Sequence, residues 1–354
     1  MATSNNQVEL GQHIGSRACP QCYLCSIPGE SLYHDLTDRL FGAPGEWNLK
    51  RCPNAECGLI WLDPMPLPTD IHKAYKKYFT HQPLITSSSR TNMLRRTWMR
   101  LESAYLAYRF KCGKCFGRRF ESLLALPIIL SRIDCDALDI PMQYLANRAT
   151  GRMLDVGCGN ASVVKLAQDL GWNAEGVDVD PQAIEDARCK GLVVHLGELD
   201  HINYHQQSFD LVLMNNVIEH VDNPLQIITE VKRILRPGGR LVVTTPNTAS
   251  WGHRRFASDW VHLDPPRHLR LFNATNLRRL IERVGFTVHV RSSLRLTPLA
   301  FVASRAIHNT KRGNPLRLSG LSAELRGRAG SIFELLIRLW DPFAGDELIV
   351  EADK

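Results

Sequence analysis

From Arg152 onward the chain alternates apolar runs with capped helical stretches, a pattern that few folds other than a doubly wound α/β sheet can satisfy. The first run, MLDVGCGNAS at residues 153–162, passes from an apolar strand into a glycine-rich turn. Gly157 and Gly159 let the backbone turn tightly and approach a ligand where a Cβ would clash. Further strands are expected at residues 173–180, 192–197, 209–216, 237–247, 286–291 and 347–350, giving a seven-stranded Rossmann-like sheet. Asp180-Pro181 and Asn223-Pro224 each supply a cap followed by proline at the first helical position, and Gly171 and Gly191 stop the first two helices. Residues 295–345 have helical patterning and read as an insertion before the last strand.

Ahead of the sheet the cysteines carry the signal. Cys19-Pro-Gln-Cys22 and Cys52-Pro-Asn-Ala-Glu-Cys57 are two knuckle-like pairs, and four thiolates close a tetrahedron around a structural Zn²⁺. Cys25 also lies three residues beyond Cys22, in a second C-x-x-C spacing, and can substitute as a ligand. A third pair, Cys112 and Cys115, has no partner pair and reads as reduced thiols. The expected organisation is a zinc-ribbon-like module at 15–65, a helical linker or lid at 66–148, and the α/β domain at 149–354. Ten cysteines behind the polar opening MATSNNQVELGQHIG argue for a reducing, cytoplasmic setting. The longest apolar run, residues 123–130, is broken by Pro127 and falls short of the ~20 residues a membrane span needs. The net charge of +7 concentrates in residues 90–119, which suits a solvated helical face and leaves peripheral contact with an anionic membrane open.

Ligands of open α/β sheets sit beyond the carboxyl ends of the strands, which gathers Asp155–Gly159, Asp178, residues 197–199 and 215–220 around one crevice. Asp178 can hold ribose hydroxyls, while Asp180 is the better helix cap. Glu198 serves the adenosine side or is simply a solvated loop acid. Charge separates the cofactors. A dinucleotide pyrophosphate wants a third glycine and no neighbouring carboxylate, yet here the third position is Ser162 and Asp155 stands at the turn. S-adenosylmethionine carries an ammonium and a sulfonium and no phosphate, so an acid suits it.

LDVGCGNAS, GVDVDP, SFDLVLMNNVIEHV and ILRPGGRLVVTTPN, in that order and spacing, resemble the class I S-adenosylmethionine-dependent methyltransferases. The resemblance covers residues 153–247 well and extends to 291. It implies that Asp155, Gly157 and Gly159 hold the methionine end and Asp178 the ribose. It also implies that Glu198 and Leu199 flank the adenine, and that Asn215 offers its backbone near the methionine. The cysteine module ending CGLIWLDPMPLP is similar, more loosely, to zinc-ribbon methyltransferases of sugar, polysaccharide and natural-product pathways.

Methyl transfer to a hydroxyl benefits from a base, and histidine is the usual choice near neutral pH. Glu219-His220 follows the fourth strand and resembles the EH of ubiquinone-pathway O-methyltransferases. Some of those bind a divalent metal through E-x-x-E-H; here Asn216 holds the first position, which argues against a catalytic metal. Residues 244–273 form a long loop rich in Trp, His and Arg that is expected to cover the acceptor. Within it His268 is a second candidate base, with His262 and Trp260 behind it. Arg267 and Arg270 either grip an anionic acceptor or latch the loop.

The expected acceptor is a small molecule such as a sugar, a quinone-like compound or another biosynthetic intermediate, methylated at oxygen. C-methylation of a nucleotide-sugar, modification of nucleic acid or protein, and a non-catalytic cofactor-binding scaffold are the alternatives. Against nucleic acid, no basic–aromatic stacking motif is evident and the fourth strand ends in NNVIEH rather than NPPY or DPPY.

Overall fold

The computed structural model describes residues 13–75, 91–110, 150–310, 329–330 and 332–354, together with 124–126, 128–129, 135, 139, 144 and 145. Five short strands open it: β1 (Ser16–Arg17), β2 (Glu30–Leu36), β3 (Trp47–Arg51), β4 (Ile60–Leu62) and β5 (Met65–Pro66). Helix α1 (Thr91–Phe110) falls in the expected linker, whereas Cys112 and Cys115 lie outside the described residues.

The main sheet begins at β6 (Arg152–Val156) and continues through β7 (Asn173–Asp178), β8 (Val194–Leu196), β9 (Phe209–Asn215) and β10 (Leu235–Pro246). After β11 (Arg270–Leu271), which leaves this sheet, it is completed by β12 (Thr287–Ser293) and β13 (Glu347–Asp353). The seven strands lie in the order β12-β13-β10-β9-β6-β7-β8, with β13 antiparallel to both its neighbours. The seven expected strands are all present, with ends displaced by at most three residues. The second stops at Asp178 because the Asp178 carboxylate accepts the Asp180 N–H at 2.9 Å and turns the chain into the next helix.

Side-chain alternation builds two cores. Met153, Leu211, Leu213, Val242 and Ile349 face one side, where they pack on α2 (Ser162–Asp169) and α3 (Pro181–Cys189) through Val164, Ala167, Ile184 and Ala187. Their neighbours Leu154, Val212, Val243, Leu348 and Val350 face the other side, against α4 (Pro224–Ile234) and later helices. Strands buried on both faces must be apolar at every position, which is why they read as unbroken apolar runs. The Asp180 side chain caps α3 by accepting from Gln182 and Ala183, and Asn223 caps α4 by accepting from Gln226 at 3.3 Å.

Beyond β10 come α5 (Trp251–Phe256), α6 (Ala274–Glu282) and α7 (Thr297–Thr310). The N-terminal sheet has the order β11-β4-β3-β2, so its edge strand comes from the long loop after β10. Arg270 pairs with Trp61 and Leu271 with Ile60. The same apolar cluster joins Leu49, Trp61 and Met65 to Val243, Leu271, Leu277 and Leu280. The cysteine region and the α/β domain therefore share one core.

Candidate functional site

The glycine turn follows β6. Gly157 and Cys158 both donate to the Val177 carbonyl, at 2.8 and 3.1 Å, and this locks the turn against the neighbouring strand. Gly157 has φ +69°, and a Cβ there would lie 2.5 Å from Val217. Gly159 has φ +49°, and a Cβ there would meet no atom within 4 Å: its outer side is open. Asp155 is 2% exposed and its Oδ1 is buried without a hydrogen-bond partner among the described residues. Burial, and secondarily the nearby Asp178 charge, push its carboxyl up to about 7. A buried carboxyl oxygen without a partner beside an open glycine turn carries a desolvation cost that a cationic group placed there would relieve.

Asp178 stands at the end of β7, where its Oδ2 accepts the Gly159 N–H at 2.7 Å. It thus ties the second strand to the glycine turn. After β8, Glu198 is exposed and Leu199 is buried. Asn215 ends β9 and accepts from Thr244 Oγ1 at 3.4 Å. Asn216 follows with φ +51°, and its buried Oδ1 has no partner among the described residues.

A second cluster lies at the ends of β9 and β10. One oxygen of Glu219 and one ring nitrogen each of His220 and His268 lie within 4.8 Å of one another. The two imidazoles meet edge to face at 4.7 Å between centroids. Glu219 is fully buried; its Oε2 accepts from Thr245 at 2.9 Å and its Oε1 is unpartnered among the described residues. Burial pushes this carboxyl up to about 8, so it is largely protonated at neutral pH. Burial acts oppositely on the bases: His220 is lowered to about 4, and His268 is driven well below its ordinary value.

The backbone sets the tautomers. His220 Nδ1 lies 3.0 Å from the Arg267 carbonyl and His268 Nδ1 lies 2.7 Å from the His262 carbonyl. A carbonyl oxygen only accepts, so both Nδ1 atoms carry hydrogen and both Nε2 atoms keep a lone pair. The Tyr75 hydroxyl, from the segment after β5, also lies 2.9 Å from His220 Nδ1. Tyr75 was not legible as a site residue because no local pattern links it to a position in the other half of the chain.

Arg267 and Arg270 do not face an acceptor. Arg267 is fully buried: it donates to Asp264, to Asp38 at 2.8 Å and to the Ala74 carbonyl at 2.9 Å. Arg270 donates to the Val221 carbonyl at 3.0 Å and lies over the Tyr23 ring. Both are latches that hold the loop to the N-terminal sheet. Trp260 is likewise an anchor, donating to Asp346 at 3.2 Å. His262 has a buried Nε2 without a partner among the described residues, and burial lowers it to about 4.

The thiols that converge are those of Cys22, Cys25, Cys52 and Cys57. Cys19 is replaced by Cys25. The chain folds back from Cys22 to Ser26, with Ser26 N–H on the Cys22 carbonyl at 2.8 Å and Ser26 at φ +56°. Cys19 sits before that turn, held through its backbone by Asp63 and Trp61. The second pair closes despite its longer spacing because Cys57 and Gly58 both donate to the Asn54 carbonyl. Cys22 Sγ and Cys57 Sγ are 3.8 Å apart. That matches the edge, about 3.8 Å, of a tetrahedron with metal–sulfur bonds of about 2.3 Å. The donor set fits a structural Zn²⁺.

Comparison with known proteins locates the family signal in the α/β half. Residues 130–290 match the family described as a methyltransferase domain. A protein named "probable S-adenosylmethionine-dependent methyltransferase" from Mycolicibacterium smegmatis is 33% identical over 153 residues, 42% of this chain and 58% of that protein. A ubiquinone biosynthesis O-methyltransferase from Xanthomonas oryzae is 31% identical over 122 residues, 30% of this chain and 49% of that protein. The chain thus spans about half the length of these curated relatives. Among solved structures, an S-adenosylmethionine-dependent methyltransferase from Mesorhizobium loti aligns with a TM-score of 0.43 at 18% identity, covering 62% of this chain and 98% of that one.

Proposed function

We propose that this protein transfers a methyl group from S-adenosylmethionine to a hydroxyl of a small-molecule acceptor. The observation that carries the reading is the buried Asp155 carboxyl, with an unpartnered oxygen, at the Gly157–Gly159 turn of a methyltransferase-type domain. In this reading Asp155 meets the cationic methionine end, and the open side of Gly159 admits the ligand backbone-close. Asp178 holds the ribose, Glu198 and Leu199 flank the adenine, and the Asn215 backbone faces the methionine. When bound, S-adenosylmethionine supplies a methyl carbon activated by its sulfonium leaving group.

The chain's own residues then have two tasks, alignment and proton removal. His220 is the base: its Nδ1–H is fixed on the Arg267 carbonyl, so Nε2 accepts the acceptor's proton. His268 presents a second lone pair beside it, and the largely protonated Glu219 keeps the pocket uncharged until proton transfer occurs. The loop after β10, latched by Arg267 and Arg270, keeps water away from the reacting atoms. Cys22, Cys25, Cys52 and Cys57 would give Zn²⁺ four protein ligands and no open position, which is a structural role. The O-methyltransferase named among the relatives supports oxygen as the methylated atom.

The test incubates the full chain with methyl-labelled S-adenosylmethionine and a deproteinised cell extract. Label is expected in small polar or quinone-like compounds, lost in His220→Ala. Label appearing only in added RNA or protein, or in nothing, would overturn the reading.

A further inference from the structure

His220 Nδ1 meets two oxygens at once. The Arg267 carbonyl lies 3.0 Å from it and the Tyr75 hydroxyl 2.9 Å from it. A carbonyl only accepts, so Nδ1 carries the hydrogen, and the Tyr75 oxygen faces that same N–H as a second acceptor. The opposite arrangement, Tyr75 donating to a bare Nδ1, would set the Nδ1 lone pair against the Arg267 carbonyl oxygen. A neutral imidazole needs one acceptor there. Two acceptors suit an imidazolium, whose Nδ1–H bears part of a positive charge.

The hydroxyl is held in place by its own segment. Tyr75 ends a 3-10 turn, Ile71–Tyr75, that starts where Ile71 donates to the Leu67 carbonyl at 3.1 Å. Asp70, just before the turn, accepts from the Gly15 N–H at 2.8 Å and pairs with Lys73 at 2.9 Å. Ala74 is buried, and its carbonyl accepts from Arg267 Nη1 at 2.9 Å. Residues 74 and 75 thus hold Arg267 by its side chain and His220 by its ring, while the Arg267 carbonyl links the two. The other groups facing His220 do not favour charge on it. The Arg267 guanidinium opposes its protonation, His268 meets the ring edge to face, and Glu219 is largely protonated. The two oxygens at Nδ1 are the groups of this set that favour a protonated ring.

We infer that Tyr75 is a positioning residue for His220: its hydroxyl oxygen fixes the Nδ1–H tautomer and steadies the imidazolium formed when Nε2 takes the acceptor's proton. Nε2 gains that proton, Nδ1 keeps its own, and Tyr75 stays un-ionised. The N-terminal region therefore contributes to the reacting site as well as to the shared core. This inference rests on His220 as the base.

The test compares the full chain with Tyr75→Phe, which keeps the ring and removes the oxygen. With ¹⁵N-histidine labelling, the His220 ring nitrogens, assigned by their loss in His220→Ala, are expected to show Nδ1–H and a bare Nε2 in the wild type. In Tyr75→Phe the Nδ1–H signal should shift and exchange faster with water, while signals of histidines away from the site stay in place and report an intact fold. Initial rates of label transfer from S-adenosylmethionine into the extract should fall about tenfold at every dilution of extract, with the half-saturating dilution unchanged. An Nε2–H tautomer in the wild type, wild-type ring signals in Tyr75→Phe, or a wild-type rate in that variant would each overturn the inference. A change confined to the half-saturating dilution would overturn it too, by moving the Tyr75 contact from His220 to the acceptor. If the wild type transfers no label, the methyl-transfer reading falls, and the ring signals still decide whether Tyr75 sets the tautomer.

Discussion

At the scale of single residues the site is built from buried groups held away from their usual protonation. Asp155 has a sign that can be worked out. Its folded value of about 7 lies above the ordinary carboxylate value of 3.8, so the folded chain holds a proton the unfolded chain releases. The resulting stability is present at low pH and is lost as pH rises from about 4 to about 7. Asp155→Asn is therefore expected to stabilise the ligand-free protein by roughly 2–4 kcal/mol at pH 8 and hardly at all at pH 4, measured by chemical denaturation. His220 and Glu219 are separated by substitution. His220→Ala should lower the transfer rate by about 10²–10⁴. Glu219→Gln retains a neutral group that can still bond Thr245, and should cost less than about tenfold. Initial rates of label transfer distinguish the two; equal losses would move the base to the carboxyl.

At the scale of elements, most of the α/β half was legible because its signals are local. Strands buried on two faces appear as apolar runs, and Asp180-Pro181 and Asn223-Pro224 mark helix starts by their own side chains. The glycine turn, Glu219, His220 and His268 were legible for the same reason, each standing at a strand end or in a recognisable motif. What escaped were contacts set by the meeting of distant segments. Nothing in residues 270–271 announces a strand that completes the N-terminal sheet, and nothing at Tyr75 announces a neighbour at His220. Cys25 competed with Cys19 on equal spacing, and only the reversal of the chain at Ser26 decides between them. Elemental analysis of purified variants checks this element: Cys25→Ser is expected to lose zinc, and Cys19→Ser to keep one ion per chain. Zinc loss in Cys19→Ser with retention in Cys25→Ser would reverse the ligand set.

At the scale of the whole molecule the two halves are coupled through buried charge. Arg267 joins Asp38 of the N-terminal region to Asp264 of the loop after β10, and α6 clamps the cysteine turn through Asn273 and Asn276 on the Cys57 carbonyl, both at 2.8 Å. Removing one member of a buried ion network strands its partners. Arg267→Met should cost about 3–5 kcal/mol in denaturant unfolding. The transfer rate should fall as well if freeing the side chain lets the backbone carbonyl of residue 267 shift away from His220 Nδ1. A variant with wild-type stability would show that the latch is dispensable.

Calorimetric titration with S-adenosylmethionine at pH 6 and pH 8 decides whether the Asp155 turn receives a cationic methyl donor. Ionised Asp155 attracts the donor, so affinity should rise with pH through about 7 and binding near neutral pH should release a proton. Asp155→Asn should bind roughly 10- to 100-fold more weakly, with no such pH step. Wild-type protein that binds no S-adenosylmethionine, or binds it equally well in Asp155→Asn at both pH values, would contradict the account.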